Sequence, residues 1–379
     1  MILSSERILT THAGSLPRPA ALTALHAARS RGEPVDEAAF AQAVAAATQA
    51  AITAQVEAGI DIGNDGEQAR ESFFTYVQHR MTGFGGVSRR PVMRDVLDHP
   101  DFLQLIAGRT RPVDLLAPPA AVGAVAYRDT SEVATECALV ADAPFAERFM
   151  TAASPGIVAS AMEDRHYGSM DAYVRAVADA LRTEYHYIAA QGLLLQIDAP
   201  DLALERHTLF ADRPLADFIG WMELVIDSLN GALDGIDPSR VRLHVCWGNY
   251  EGPHTLDVPL DDILTTLYRA RVGALVLSMA NARHAHEHAC FVRHPLPDGV
   301  ALVAGVIDTT SNYVEHPGVV ADRITAVARA VGDPHRVIAG TDCGFDTSAG
   351  QRRVAEDVVW AKLAALSEGA RLASQRLFG

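Results

Sequence analysis

The sequence predicts an α/β protein, a single (β/α)8 TIM barrel spanning residues 1–379, and three observations carry that expectation. Short apolar runs alternate with helix-period stretches nearly throughout, the pattern of a parallel sheet with crossover helices. Eight such runs occur, the number a closed barrel needs. Polar residues collect just after the carboxyl ends of those runs, where barrels build their sites.

In chain order, residues 7–11 read as the first strand, running into the turn His12-Ala-Gly-Ser-Leu-Pro-Arg18. A helix follows over 19–28. A longer one over 36–58 starts at Asp36, whose short carboxylate suits an N-cap. The second strand, 60–63, ends in Asn64-Asp-Gly-Glu-Gln68, and a helix over 71–81 stops at the glycine-rich Gly83-Phe-Gly-Gly86. The rhythm breaks over about 84–146, where Pro and Gly cluster around a strand at 122–127 and a helix at 131–141. This stretch reads as a long insertion after the second strand. The pattern resumes with strand 148–152, halted by Ser154-Pro-Gly156, then helix 170–190 and strand 192–198, the clearest buried run. Helix 215–233 precedes strand 241–246. Strands 274–279, 301–307 and 336–341 complete the set, and a helix over 349–375 closes the chain.

Composition narrows the function. A chain that is 49% hydrophobic and 21% charged is ordinary globular material, and a net charge of −15 argues against nucleic acid or an anionic membrane as partner. No apolar run approaches the roughly 18 residues of a membrane span. The first residues lack the charged-then-apolar plan of a signal peptide, so a cytoplasmic location is expected. Lys362 is the only lysine and falls in the last helix, which sets aside Schiff-base and P-loop chemistry. Cys137, Cys246, Cys290 and Cys343 are too widely spaced for a disulfide framework in a chain this long.

The most informative stretch is Arg242-Leu-His-Val-Cys-Trp-Gly248. Side chains alternate along a strand, so His244 and Cys246 share a face at the end of a buried run, which is half of a zinc site. Cys343 follows another strand end at the same rim and supplies a third ligand. A lone buried cysteine reads first as a small hydrophobe, as Cys137 and Cys290 do. The run His284-Ala-His-Glu-His288 looks metal-binding but reads better as a solvated loop or helix turn. Asp198 and Gln196 share the face of their strand and should enter the barrel mouth. Asp65 and Glu67 either bind substrate or cap the next helix. Asp198, Glu67 and Asp308 are the candidate catalytic carboxylates. His12, Ser15, Arg18, Gln196, Asn249, Asn281, Arg283 and Asn312 are candidate substrate contacts, with Arg18 or Arg283 clamping an anionic tail.

With these residues in view the chain resembles the cobalamin-independent methionine synthase family. It is similar to the single-barrel relatives of the enzyme's C-terminal catalytic domain, a group that includes epoxyalkane:coenzyme M transferase. The matching stretches are Thr10-Thr-His-Ala-Gly-Ser-Leu-Pro-Arg18, Asn64-Asp-Gly-Glu-Gln68, Leu195-Gln-Ile-Asp198, His244-Val-Cys-Trp-Gly-Asn-Tyr250, Gly305-Val-Ile-Asp308, Asn312-Tyr-Val-Glu-His-Pro317 and Gly340-Thr-Asp-Cys-Gly344. The resemblance implies zinc on His244, Cys246 and Cys343, and it implies that Glu67 and Asp198 hold the amino group of a homocysteine-like substrate. Two positions depart from the family. Ser278 stands where the family has a fourth, glutamate ligand, which makes nearby Glu287 a candidate replacement. Thr310 stands where true synthases carry a histidine.

The expected activity is therefore zinc-dependent alkyl or methyl transfer from a small-molecule donor to a substrate thiol. Two alternatives are a zinc-dependent lyase or hydrolase using zinc-bound water, and a metal-free barrel similar to uroporphyrinogen decarboxylase, or a binding protein. A homo-oligomer is compatible with all three.

Overall fold

The computed structural model describes residues 1–108, 112–113 and 115–379, so four residues within the expected insertion lie outside the described chain. Among the described residues nine strands are present: β1 (Ile62–Gly63), β2 (Met81–Gly85), β3 (Ala120–Tyr127), β4 (Glu147–Ala153), β5 (Leu194–Asp198), β6 (Val241–Val245), β7 (Ala274–Ser278), β8 (Ala301–Ile307) and β9 (Val337–Thr341). Seven form one parallel sheet in the order β1-β4-β5-β6-β7-β8-β9, with helices in the connections. The expected first strand is reduced to two parallel bridges, Thr10 to Ala339 of β9 and Thr11 to Ile62 of β1. These residues therefore reach both edges of the sheet. Among the described residues no helix is long and apolar enough to cross a membrane.

Register sorts the sheet into two faces. Leu195, Ile197, Leu243, Val245, Leu275 and Leu277 join the large core under the helices. The opposite face is layered. Its lower layer is apolar, with Phe149, Leu194, Ala274, Ala301 and Ile338 in one cluster. Above it, Gln196 pairs in register with Arg242, and Asp198 with His244, towards the carboxyl ends of the strands. The sheet thus has an apolar floor and a polar end, as the placement of the sequence motifs requires.

Several helices follow the sequence closely. The helix Met170–Ala190 is capped by Ser169, whose hydroxyl accepts from Ala172 N–H. Asp36 caps Glu37–Glu57 by accepting from the amides of Ala38 and Ala39. Other segments need correction. Only Val77–Arg80 of the expected 71–81 helix is helical, because its backbone is engaged elsewhere: Ser72 bridges Ser348, and Phe73 N–H donates to Thr347 O. Ser154-Pro-Gly156 does not merely halt β4. Ser154 caps a buried helix, Pro155–Ala161, and proline fits the first helical turn, where no N–H is needed. The closing helix begins at Glu356, since the residues before it are drawn off by Ala349 N–H to Glu71 O and Ala355 N–H to Asn312 Oδ1.

Gly83-Phe-Gly85 is also no simple break. It belongs to β2, which pairs antiparallel with β3 through an irregularity between Thr82 and Phe84. Gly83 has φ +89, and a Cβ there would lie 2.6 Å from Ala124 O. The hairpin is anchored by a buried charge network in which Arg70 and Arg80 face Glu136 and Glu184 and stack against Tyr76. We expect Gly83→Ala to lower unfolding stability by about 1–3 kcal/mol through backbone crowding in the left-handed region. Urea unfolding with an unchanged m-value is the check, and an unaltered midpoint would refute it.

Candidate metal centre and its cavity

The polar end of the sheet holds a chain of buried hydrogen bonds. Arg242, fully buried over the ring of Phe149, donates to Gln196 Oε1 at 2.6 Å. Gln196 Nε2 donates to Asp198 Oδ1 at 2.9 Å, and Asp198 Oδ1 accepts from His244 Nδ1 at 2.9 Å. Each partner fixes the next, so the His244 ring has one orientation, with its proton held on Nδ1. Its Nε2 is left buried with no partner.

Two sulfurs lie beside that orphaned nitrogen. Cys246 and Cys343 are buried free cysteines with Sγ atoms 3.9 Å apart, and one atom from each of His244, Cys246 and Cys343 lies within 4.8 Å of the others. Two thiolates on a tetrahedral zinc with bonds of about 2.3 Å sit about 3.8 Å apart, so the donor set and its spacing fit such an ion. The Asp198–His244 contact is the carboxylate–histidine arrangement that supports a ligating nitrogen. Without an ion the three groups share protons. The bond from the Cys343 thiol holds Cys246 well below the ordinary thiol value and pushes Cys343 up. Burial opposes a charge on His244, but the Cys246 thiolate and Asp198 outweigh it and lift the imidazole to about 10.

Cys246 and Cys343 line a cavity of about 420 Å³. Ser278, Asn249, Asn281, Arg283, Asp308 and Thr310 all line it. Ser278 Oγ donates to Asp342 O at 2.7 Å, so the residue in the glutamate's place is tied to the backbone beside Cys343. Asp342 gathers the amides of Met279, Ala280 and Asn281 and the Asn281 side chain, all within 2.9 Å. Burial nevertheless raises its carboxyl to about 6. Asp308 accepts from the hydroxyls of Thr310 and Ser311, and it is braced from behind. Lys362, the only lysine, donates to Asp308 O and to Glu315 Oε2, while Glu315 accepts from Asp308 N–H. Asn249 donates to Gly344 O and accepts from Thr309. Arg283 is exposed at the rim, its guanidinium 3.5 Å from Thr255 O and its backbone N–H donating to Asn281 Oδ1.

Glu67 arrives from another direction. The turn Asn64-Asp-Gly-Glu-Gln68 is held by its own side chains, with Asp65 accepting from Glu67 N–H, so Asp65 acts as a turn cap. Glu67 itself has φ +56, rare for a residue with a Cβ and common where a side chain must be aimed. Its Oε1 accepts from Thr151, and Oε2 is buried without a partner. Burial and the neighbouring Asp198 raise it to about 8. The close approach depends on Gly14, where a Cβ would come within 2.5 Å of Glu67 Oε1.

Other candidates are placed differently. Arg18 is fully buried, paired with Asp346 at 3.2 Å and donating to Glu67 O, so its guanidinium braces the Glu67 turn. Ser15 packs against Gly344, and its carbonyl accepts from Phe345 N–H. Asn312 lies outside the cavity lining and bonds Arg353 O and Ala355 N–H. Glu287 is engaged by His284 Nδ1 and Leu260 N–H, 2.8 and 2.7 Å away. The 284–288 run is correspondingly not a wholly solvated loop, since His284 and Glu287 are buried. They join Asp257 and His254 in a second group of ligand-type side chains, whose signal in the sequence is the pairing of histidine and acid three residues apart in both 254–257 and 284–287.

Comparison with known proteins agrees with this arrangement. No family model matches the chain. The methionine synthase of Saccharolobus solfataricus is 24% identical over 377 residues, covering 97% of this chain and 95% of that protein. In sequence the chain is similar to that protein over nearly its whole length. The 2-hydroxypropyl-CoM lyase of Xanthobacter autotrophicus is 29% identical over 243 residues, 57% of this chain and 59% of the lyase. A 5-methyltetrahydropteroyltriglutamate–homocysteine methyltransferase of a Chelativorans species is 25% identical, and the match spans only 39% of its length. In fold, the chain superposes on a B12-independent methionine synthase from a Shewanella species with a TM-score of 0.73 at 21% identity, covering 98% of this chain and 99% of that one.

His12 supplies a test of how the site is protonated. Its Nε2 donates to Gln55 Oε1 and its Nδ1 accepts from Gly14 N–H, so the ring is neutral. Burial lowers it to about 4 from an ordinary 6.5. The folded state therefore binds this proton less readily than the unfolded chain. The resulting stability is complete above about pH 6.5 and is lost as pH falls towards 4. The difference in unfolding free energy between wild type and His12→Gln should shrink by roughly 2–3 kcal/mol from pH 7 to pH 4. A difference that is constant with pH would show a charged His12.

Proposed function

We propose that this protein transfers a methyl or other alkyl group from a small-molecule donor to a substrate thiol, with zinc held by His244, Cys246 and Cys343. The observation that carries the reading is the buried, partnerless Nε2 of His244, oriented by Asp198 towards two free cysteines 3.9 Å apart. The relatives named methionine synthase and 2-hydroxypropyl-CoM lyase support thiol chemistry of this class. We also read the parallel sheet as a closed (β/α)8 barrel, with Thr10 and Thr11 as the link between β1 and β9 and residues 84–146 as an insertion.

Zinc at these ligands would keep a substrate thiol deprotonated at neutral pH while leaving it nucleophilic. The protein's own groups do the rest. Asp198 holds the proton on His244 Nδ1, keeping Nε2 free to ligate. Glu67 Oε2 faces the same end of the sheet without a partner, suited to accept hydrogen bonds from a substrate amino group. A carboxyl raised to about 8 gains that partner by losing its proton, so binding an ammonium group there is coupled to ionisation of Glu67. Asp308 and Asn249 line the cavity wall, and Arg283 at its rim can meet an anionic tail. A second reading, elimination or hydrolysis on the same ligands, draws on one specific feature: Ser278 replaces a carboxylate, so the ligand set is less anionic than the family's.

Cobalt-substituted wild type should show the intense thiolate-to-metal absorption of a cysteine-ligated ion, and Cys246→Ala should lose it together with alkyl transfer. Full activity in chelator-treated, metal-free protein would end the proposal, and turnover without a thiol acceptor would favour the second reading. Asp198→Asn is expected to weaken metal affinity about 10–100-fold, read by competition with a chromogenic chelator. Glu67→Gln should raise KM for an amino-bearing thiol more than it lowers metal content.

A further inference from the structure

Beside the thiolate centre, and sharing its cavity wall, lies a second cluster with no role in the reading above. Asp257 is its hub. Its Oδ2 lies 2.8 Å from His254 Nδ1 and 2.8 Å from His284 Nε2, and its Oδ1 lies 3.6 Å from His207 Nε2. We infer that His254, Asp257 and His284 hold a second divalent cation, in a site of nitrogen and oxygen ligands suited to zinc, with the buried His207 beside it.

The outer nitrogens make the first argument. His254 Nε2 faces Tyr250 O at 3.0 Å, His284 Nδ1 faces Glu287 Oε2 at 2.8 Å, and His207 Nδ1 lies 3.5 Å from Asp95 Oδ1. The imidazoles of His254 and His284 thus turn one nitrogen inward to Asp257 and the other outward to a carbonyl or carboxylate. Metal-ligating histidines are supported in this way, the outer acceptor fixing the proton so that the inner nitrogen is free to ligate.

His207 makes the second argument. It is 1% exposed, yet neither ring nitrogen has a hydrogen-bond partner, and Asp257 Oδ1, which faces it, also has none. Leaving both groups buried and unpaired is costly. A separation of 3.6 Å is long for a hydrogen bond. An ion bound at Asp257 satisfies its Oδ1 without a bond from His207.

Charge and packing agree. With no ion, Asp257 Oδ2 accepts from two rings whose other nitrogens also face acceptors, which calls for two protonated imidazoles on one carboxylate. A divalent cation supplies the same charge with every histidine neutral. The rings are also held rigidly. Trp247 stacks on His284 at 3.9 Å between ring centres and Tyr250 on His254 at 4.0 Å, while His254 sits at φ +52. The three ligands come from two segments, so an ion there fastens the 254–257 wall of the cavity to the 284–287 turn.

The test separates this site from the thiolate centre. Cys246→Ser/Cys343→Ser protein, purified without a tag and loaded with zinc or cobalt, should retain about one ion per chain by elemental analysis. Its cobalt spectrum should show only weak bands with no thiolate charge transfer. Adding His254→Gln and His284→Gln should remove that ion. A double-cysteine variant with wild-type circular dichroism and no bound metal would overturn the inference, as would an ion that survives both histidine changes. Should the cysteine variant not fold, wild type is compared with His284→Gln: two ions falling to one support the site, and an unchanged count refutes it. Loss of the charge-transfer band from cobalt wild type would count against the thiolate centre alone.

Discussion

The hydrogen bond between Asp198 and His244 joins the last register pair of β5 and β6, and the chemistry at the polar end of the sheet depends on it. It continues downward through Gln196 to Arg242, so a buried cation under the site is linked to the ligand by side chains alone. Burial lowers Arg242 to about 10, which still leaves it charged at neutral pH. By taking Gln196 Oε1 it turns the Gln196 amide to donate to Asp198, whose Oδ1 holds the proton on His244 Nδ1. One buried arginine therefore sets the tautomer of a histidine two residues along its own strand. Breaking the relay at any member leaves a buried polar group unpaired, so the whole chain is bound to act as a unit.

A second constraint is the crowding of acids around the cavity. Asp198, Glu67, Asp308 and Asp342 all belong to it or its immediate surroundings, and each is handled differently. Asp342 spends its oxygens on the backbone after β7, which fixes Ser278 beside Cys343. Asp308 is pulled below the usual carboxylate range by the hydroxyls of Thr310 and Ser311 and by Lys362, although burial works against it. Glu67 has a single hydroxyl, that of Thr151, and burial and Asp198 still push it up. The carboxyl with the least support from the protein is the one best placed to gain it from a substrate.

Much of this was legible in the sequence, for physical reasons. The helix Met170–Ala190 and strand Ala301–Ile307 are strongly patterned and match their expected bounds. The period of two put His244 and Cys246 on one face, and the rule that sites gather at carboxyl ends brought in Cys343. What failed were segments whose backbone bonds are tertiary. The 71–81 stretch has helical composition, but its amides are taken by residues near 347. Arg18 looked like an anion clamp because exposure is invisible in a sequence, whereas it is buried against Asp346. The cluster around Asp257 draws on segments near 207, 254 and 284, so no local pattern assembles it. Only the repeated histidine-to-acid spacing hinted at it.

The bracing of Asp308 by Lys362 has a consequence for how the molecule can be modified. The one side-chain amine in the chain is 0% exposed and held by Glu315 and a backbone carbonyl. Every cationic side chain at the surface other than histidine is an arginine, whose charge ordinary acylation does not remove. Enzymes that attach acetyl groups or ubiquitin to lysine meet no acceptor on the folded protein. Within these residues, amine-reactive dyes, cross-linkers and coupling resins meet no accessible side-chain amine.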